Sequence, residues 1–412
     1  MLHFRMQIKP KRIILAGIIG NIIEYYDFAL IGFMATIIGH HFFPANNPAL
    51  STLSTFAAFA AGMVMRPIGA LIFGHIGDTL GRKKAMLLSL ALMALPTFAI
   101  GLLPTYETIG IIAPILLVAL RILQGLSVGG EYASSIVYLI EHAPEHRRYL
   151  YGSFVSVGAK AGMSLGSGVL ALLFLQLGDE AMEAWGWRMP FFASLALALL
   201  GFWLRRTLIE EYQLERSTRH LPIIELWRHY RMLTLKLFGI AAAVWVLYYA
   251  LFVYAITWIV HFGKLTKAEA VRMESVTIMA GLGMMLFAAY LADRFGGLRI
   301  MRAGFLLGSI ATIPILLWQM ELSYWGVLMT QLLLVAALAM VQAPIFATVT
   351  LALPPYVRTT ATAFILGTAA GVVGGTTPMI LDGLITLTND PIAGGYLITA
   401  AMVGALILLR QH

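Results

Sequence analysis

The chain has 412 residues, of which 60% are hydrophobic and 12% charged, with a mean hydropathy of +0.84; soluble domains carry about a quarter charged residues, so a water-soluble fold is a poor reading. It contains no Cys, which excludes disulfides, Cys-ligated metal sites and thiol catalysis. The net charge of +8 sits in short basic pieces between apolar runs, a pattern of membrane topology rather than of nucleic-acid binding.

A helix needs about 20 apolar residues to cross a bilayer, and such stretches recur along the whole chain. The first begins after Arg5, Lys9, Lys11 and Arg12; no small-residue cleavage site follows, so it reads as an uncleaved helix and not a signal peptide. Six stretches run at 13–39, 52–76, 85–103, 109–140, 151–177 and 189–207, and six more at 233–262, 273–292, 300–319, 324–352, 361–386 and 394–410. The gap at 208–232, with Glu210, Glu211, Glu215, Arg216, Arg219, Glu225, Arg228 and Arg231, reads as a solvated linker that is partly an amphipathic helix. The expected architecture is an all-α membrane protein of twelve spans: a six-helix bundle at 1–207, a linker at 208–232 and a second bundle at 233–412. Most of the 28 Lys and Arg residues lie on one side of this topology. The basic excess of cytoplasmic loops therefore places both termini in the cytoplasm; Arg188, Lys264, Lys267 and Arg272 fall on the other side.

Three features repeat about 210 residues apart. Gly74-x3-Asp78-x2-Gly81-Arg82 returns as Ala289-x3-Asp293-Arg294-x-Gly296, and Pro144-x2-Arg147 returns as Pro355-x2-Arg358. The small-residue stripe Gly158, Gly162, Gly166 returns as Gly367, Gly371, Gly375, at spacings that let helices pack closely. Shared order and a near-constant offset make the halves structural copies, as in transporters that rock one half against the other.

Six ionisable residues lie inside spans of the first half: Glu24, Asp27, Arg66, Arg121, Glu131 and Lys160. Charge at that depth is costly unless paired or hydrated. A rise of 1.5 Å per residue puts Glu24, Asp27, Arg66 and Lys160 roughly 15–22 Å into their spans, near the midplane. Asn21, Glu24 and Asp27 share one face of span 1, and Arg121, Gln124, Glu131 and Ser135 share one face of span 4. The bland alternative is that these charges only lock helices together as buried pairs. Arg66 and Lys160 suit an anion, since guanidinium grips carboxylate bidentately and ammonium supplies a point charge. Three cations and three carboxylates cancel, so one protonated carboxyl leaves a positive excess for a substrate carboxylate. The second half shows no comparable midplane charges and offers Trp245, Tyr248, Tyr249, Tyr254 and Thr257 on span 7 with Gln331 and Gln342 on span 10. Such aromatics are usually packing or interface anchors; Tyr249 and Gln342 are the better substrate-binding candidates.

The stretch Gly74-His75-Ile76-Gly77-Asp78-Thr79-Leu80-Gly81-Arg82-Lys83-Lys84 resembles the loop 2-3 signature of the major facilitator superfamily, with Thr79 where Arg or Lys is usual. Within it, Gly20 to Phe28, Met65-Arg66-Pro67-Ile68-Gly69, Arg121 to Glu131 and Trp185 to Phe191 resemble the metabolite:proton symporter family. Thr105 to Gly110 and the surroundings of Arg66 look most like the alpha-ketoglutarate permease. Leu353-Pro354-Pro355, Ile365 and Lys160 depart from the family pattern and bear on the substrate rather than the fold. No coiled-coil extension follows His412, unlike the osmosensing betaine transporters.

The resemblance implies that Asp27 and Arg121 couple protons. An Asp beside an Arg stays ionised; once the Arg moves away or takes a substrate anion, the Asp takes a proton. Glu24 is the second candidate carrier, and Glu131 either joins them or anchors a gate. Arg66, Lys160, Gln124, Tyr249 and Gln342 are expected to bind substrate. Asp78, Arg82, Glu141 and Arg148, with Asp293 and Arg294 in the repeat, resemble the charge relay of the inner gate, where helix capping or pairing is the plainer role for Asp78.

Other motifs carry no chemistry. Gly162-x-Ser164-x-Gly166 matches a nucleophile elbow but lies inside span 5, where the required strand-to-helix turn does not exist. The ten His residues show no metal-ligand spacing, and there is no Walker motif. The expectation is a monomeric, cofactor-free, proton-coupled symporter of a small organic anion, a di- or tricarboxylate, in a bacterial inner membrane. A proline- or betaine-like zwitterion, or export of a carboxylate siderophore, is the rival within transport. A membrane enzyme lacks a catalytic cluster, and a sensor lacks an output domain.

Overall fold

The computed structural model describes residues 10–44, 48–206 and 221–410. Arg5, Lys9, Glu210, Glu211, Glu215, Arg216 and Arg219, all singled out above, lie outside them. The described residues are helical from end to end, in chain order α1 Pro10–Phe33, α2 Ala35–Phe42, α3 Pro48–Val64, α4 Arg66–Thr79, α5 Arg82–Leu102, α6 Tyr106–Ile109, α7 Ile112–Glu141, α8 Arg148–Ala184 and α9 Met189–Arg206. These are followed by α10 Pro222–His229, α11 Arg231–Tyr249, α12 Ala255–Phe262, α13 Lys267–Phe295, α14 Gly297–Gln319, α15 Tyr324–Leu351, α16 Arg358–Thr368, α17 Gly375–Thr388 and α18 Ala393–Arg410. Among the described residues, 11 helices are long and apolar enough to cross a membrane. The twelfth stretch is divided into α3 and α4 at Met65. Pro67 explains the division, because it has no N–H for the carbonyl of Met63 and its ring crowds that turn. The amphipathic part of the linker is α10.

Large apolar side chains cover the outside of the helices, with Leu175 and Leu387 each 83% exposed and Met379 71%. That surface suits lipid, which needs no polar coat. The chain folds into two compact units, Met1–His142 with Phe154–Ile223 and Pro355–Phe364, and Ala143–Ser153 with Ile224–Pro354 and Ile365–His412.

Small residues decide how the first unit packs. A Cβ on Gly62 would lie 2.6 Å from Arg121 O, and one on Gly125 would collide with Gly62 O; Gly69 meets Leu126 O and Gly129 meets Arg66 O in the same way. The backbones of α3–α4 and α7 therefore touch on both sides of the break at Met65, which sets Arg66 against α7 at Gly129. The expected stripe on span 5 performs as read: Gly158, Gly162 and Gly166 of α8 lie against Ile18, Ile22 and Ala29 of α1.

Its repeat in the second unit does not. A Cβ on Gly371 or Gly375 would meet nothing within 4 Å, whereas one on Gly374 would lie 2.6 Å from the Tyr249 ring. Residues 369–374 form a π-turn, as do residues 250–254 between α11 and α12. One extra residue per π-turn rotates the following helix, so Gly374 and not Gly375 faces α11. At the start of α13, Thr266 and Glu269 cap one another reciprocally, and the Thr266 backbone N–H and hydroxyl hold the Glu269 carboxyl below its ordinary range.

Gly125→Ala is expected to lower the thermal unfolding midpoint of the purified protein, since overpacking costs about 1–3 kcal/mol. Gly404→Ala, where a Cβ would meet nothing within 4 Å, serves as the matched control and leaves the midpoint unchanged or raised.

Candidate functional site

The centre of the first unit is the carboxylate of Asp27 on α1, which is fully buried. Arg121 of α7 donates to its Oδ2 from Nη1 at 2.9 Å and Nη2 at 2.8 Å. Gln124, one turn further along α7, donates from Nε2 to Oδ1 at 2.9 Å, and the Thr97 hydroxyl of α5 reaches the same oxygen at 3.2 Å. Every lone-pair direction of the carboxylate is thus engaged from two neighbouring helices, which is how a buried charge is tolerated. Thr97 escaped the sequence reading. The only cue was a polar residue next to Pro96 in an otherwise apolar span.

One turn before Asp27, Glu24 is buried, and its Oε1 lies 3.6 Å from Arg66 Nη2. The Arg66 guanidinium also sits over the Phe28 ring, 4.8 Å from its centroid, where the ring face attracts a cation. One further turn back is Asn21, equally buried. Neither amide atom of Asn21 has a hydrogen-bond partner, nor do Glu24 Oε2, Arg66 Nε and Nη2, or Gln124 Oε1. A buried polar atom left unpaired costs roughly 1–3 kcal/mol, so several in one place mark a site and not a packing core. Lys160 is half-buried on α8, two residues beyond Gly158, whose added Cβ would lie 3.4 Å from Asn21 Cβ.

Glu131 belongs to a different cluster. It forms a short, buried ion pair with Arg205 at the end of α9, and it accepts from Ser89 at 2.6 Å and Ser135 at 2.9 Å. Arg205 also donates to Ala16 O at 3.1 Å and Met86 O at 2.6 Å, so one guanidinium ties α1, α5, α7 and α9 together. The approach is so close that a Cβ on Gly20 would collide with Glu131 Oε1. Arg205 also corrects the charge balance read from the sequence. Arg66, Arg121, Lys160 and Arg205 make four cations against the three carboxylates Glu24, Asp27 and Glu131. Arg205 stands near the end of the apolar run 189–207, and its long side chain turns back into the bundle.

A third charged group lies at the end of α4. Asp78 accepts the backbone N–H of Thr359 at 2.9 Å and of Thr360 at 2.8 Å, the first free amides of α16. Arg82 bonds Asp78 at 3.0 Å, Glu141 at 3.3 Å and Pro355 O at 2.7 Å. A carboxylate at a helix N-terminus satisfies orphan donors and meets the positive end of the dipole. Burial pushes the Asp78 carboxyl up, against the opposing pull of Arg82 and the two amides. Asp293 in the second unit accepts the N–H of Tyr149 at 2.9 Å and of Leu150 at 3.0 Å, at the start of α8. The repeated Asp performs the same capping twice. Arg358 joins Arg82 on Glu141, at 2.9 Å; Arg148 instead approaches the exposed Glu145 at 3.8 Å, and Arg294 is exposed over Phe295.

In the second unit Tyr249 is half-buried against Gly374, and Gln342 is buried on α15. The spans of this half do carry acids. Glu274 is buried close to the start of α13, and Asp382 accepts from the Tyr254 hydroxyl at 3.0 Å on α17. Both lie towards span ends rather than at the midplane. Among the described residues no group of His, Cys, Asp and Glu has the makings of a metal site.

Comparison with known proteins agrees with this geometry. The family model of the Major Facilitator Superfamily matches residues 17–378. The shikimate transporter of Escherichia coli (strain K12) is 32% identical over 417 residues, covering 97% of this chain and 94% of that protein. The glycine betaine/proline/ectoine/pipecolic acid transporter OusA of Dickeya dadantii (strain 3937) is 31% identical over 412 residues, covering 96% and 82%. Among solved structures, the proton:xylose symporter XylE bound to 6-bromo-6-deoxy-D-glucose superposes with a TM-score of 0.75 at 17% identity over 98% of this chain and 95% of that one. The transporter FucP in its outward conformation gives 0.76 at 16% identity over 98% of both chains. The chain belongs to the Major Facilitator Superfamily and is a multi-pass membrane transporter, not an enzyme.

Proposed function

We propose that this transporter is a proton-coupled symporter of a small carboxylate-bearing metabolite, working by alternating access from a bacterial inner membrane with both termini cytoplasmic. The observation that carries the reading is Asp27, buried and held by both terminal nitrogens of Arg121. A carboxylate in that position is ionised while Arg121 faces it. A substrate carboxylate that draws Arg121 away leaves Asp27 without its counter-charge, and Asp27 then takes a proton. Anion and proton move together because each makes the other's binding favourable. Glu24 beside Arg66 is a second group able to carry a proton, and Lys160 adds to a positive surplus that favours an anion.

Glu131 takes no part in this exchange: its charge is matched by Arg205 and its oxygens are filled by two serines. Asp78 and Asp293 serve movement instead, since each holds the first turn of another helix and must release it if that helix shifts. A zwitterion is the second reading, favoured by the relatives named for proline and betaine. Arg66 and Arg121 would grip its carboxylate in the same manner.

In proteoliposomes with an imposed pH gradient, Asp27→Asn is expected to abolish gradient-driven accumulation of a carboxylate substrate while substrate exchange persists; accumulation at the wild-type level refutes the coupling role. Glu131→Gln is expected to destabilise the protein by about 3–5 kcal/mol because it strands Arg205. The double variant Glu131→Gln/Arg205→Met recovers most of that stability and keeps proton-driven uptake. Asp78→Asn is expected to slow uptake several-fold with unchanged protein in the membrane, the loss of a helix cap being worth roughly 0.5–2 kcal/mol.

A further inference from the structure

Six of the buried polar atoms that find no partner within the protein lie on Asn21, Glu24, Arg66 and Gln124, and their chemistry describes a ligand. Three can donate: Asn21 Nδ2, Arg66 Nε and Arg66 Nη2. Three can accept: Asn21 Oδ1, Glu24 Oε2 and Gln124 Oε1. The Asn21 count is the same whichever way its amide is turned, because both atoms are unpaired. The Gln124 count is settled by its Nε2, which is engaged by Asp27 at 2.9 Å and Thr97 at 2.6 Å. Arg66 Nη2 stands 3.6 Å from Glu24 Oε1, an attractive distance but too long for a hydrogen bond. The groups are contiguous. Asn21, Glu24 and Asp27 follow one face of α1, Arg66 faces Glu24, and Gln124 reaches Asp27 from α7.

A carboxylate alone would satisfy the donors and leave the three acceptors facing nothing. A ligand whose only other feature is a quaternary ammonium or a second carboxylate does no better, since neither carries an N–H or O–H. The geometry points to a substrate that pairs its carboxylate with a hydrogen-bond donor a few bonds away, a hydroxyl or a protonated secondary amine. The carboxylate lies on Arg66 and competes with Asp27 for Arg121, and the donor lies on Glu24 and Asn21, with Gln124 Oε1 as a third acceptor. This selectivity rests on the carboxylate-transport reading above and narrows it. Hydroxylated acids and N–H-bearing amino acids are taken; fully alkylated betaines and plain dicarboxylates are discriminated against. A site built to accept a hydrogen bond rejects the analogue lacking it far more strongly than an apolar pocket rejects a missing methylene.

The test uses full-length protein in lipid nanodiscs and isothermal titration with two matched pairs. One pair is proline and N,N-dimethylproline; the other is a trihydroxylated cyclohexenecarboxylate and unsubstituted cyclohexenecarboxylate. In at least one pair the donor-bearing member is expected to bind about tenfold tighter or more, and Glu24→Gln or Asn21→Ala is expected to shrink that ratio towards one. Equal or tighter binding of the donor-less member in every pair that binds overturns the donor inference and leaves carboxylate transport standing. If none of the four binds, the donor inference is overturned, and carboxylate transport is judged separately by the gradient-driven accumulation described above. The wild-type ratio decides the question even where a variant does not fold.

Discussion

A charge inside a bilayer must find a counter-charge, hydrogen bonds or water, and the first half of this transporter is organised around that requirement. The Asp27–Arg121 pair meets it most completely, with two guanidinium nitrogens on one oxygen and Gln124 and Thr97 on the other. The geometry needs α7 pressed against the broken helix of α3 and α4. That in turn needs the glycines at 62, 69, 125 and 129, because any side chain there would meet backbone. The break at Met65 keeps the Arg66 guanidinium at the level of Glu24. A few small residues thus determine where the charges can lie, and the charges determine what the site can hold.

The ionisable residues of this half divide by how completely they are satisfied. Glu131 and Arg205 are saturated by two serines and two backbone carbonyls, and a saturated pair has little reason to respond to a substrate. Its effect is rigidity, since it ties four helices at one level. Asp27 is saturated too, but the Gln124 that helps to hold it carries an unpaired Oε1. Glu24 and Arg66 are the least satisfied, at 3.6 Å from each other with orphan atoms on both. The proposed function follows that gradient, from the closed pair that braces the bundle to the open pair proposed to meet the substrate.

The repeated aspartates act at helix ends. Asp78 and Asp293 hold the opening amides of α16 and α8 by the same two-bond arrangement. Each pair of bonds satisfies two amides in the first turn of a helix. The π-turns at 250–254 and 369–374 belong to the same theme, as places where a helix changes its facing without ending.

Hydropathy, basic-residue placement and internal repetition were enough to establish the helices, their number and the twofold plan, because the cost of putting backbone and charge in lipid leaves a sequence few alternatives. The face shared by Asn21, Glu24 and Asp27 and the close approach of Gly158, Gly162 and Gly166 to α1 were legible for the same reason: helical periodicity is local. Partner choice was not. Arg205 answers Glu131, Arg358 joins Arg82 on Glu141, Thr97 completes the Asp27 shell, and Gly374 faces Tyr249. Each of these depends on where a side chain from a distant helix ends, or on one extra residue in a turn, and only the packed tertiary structure decides such distances.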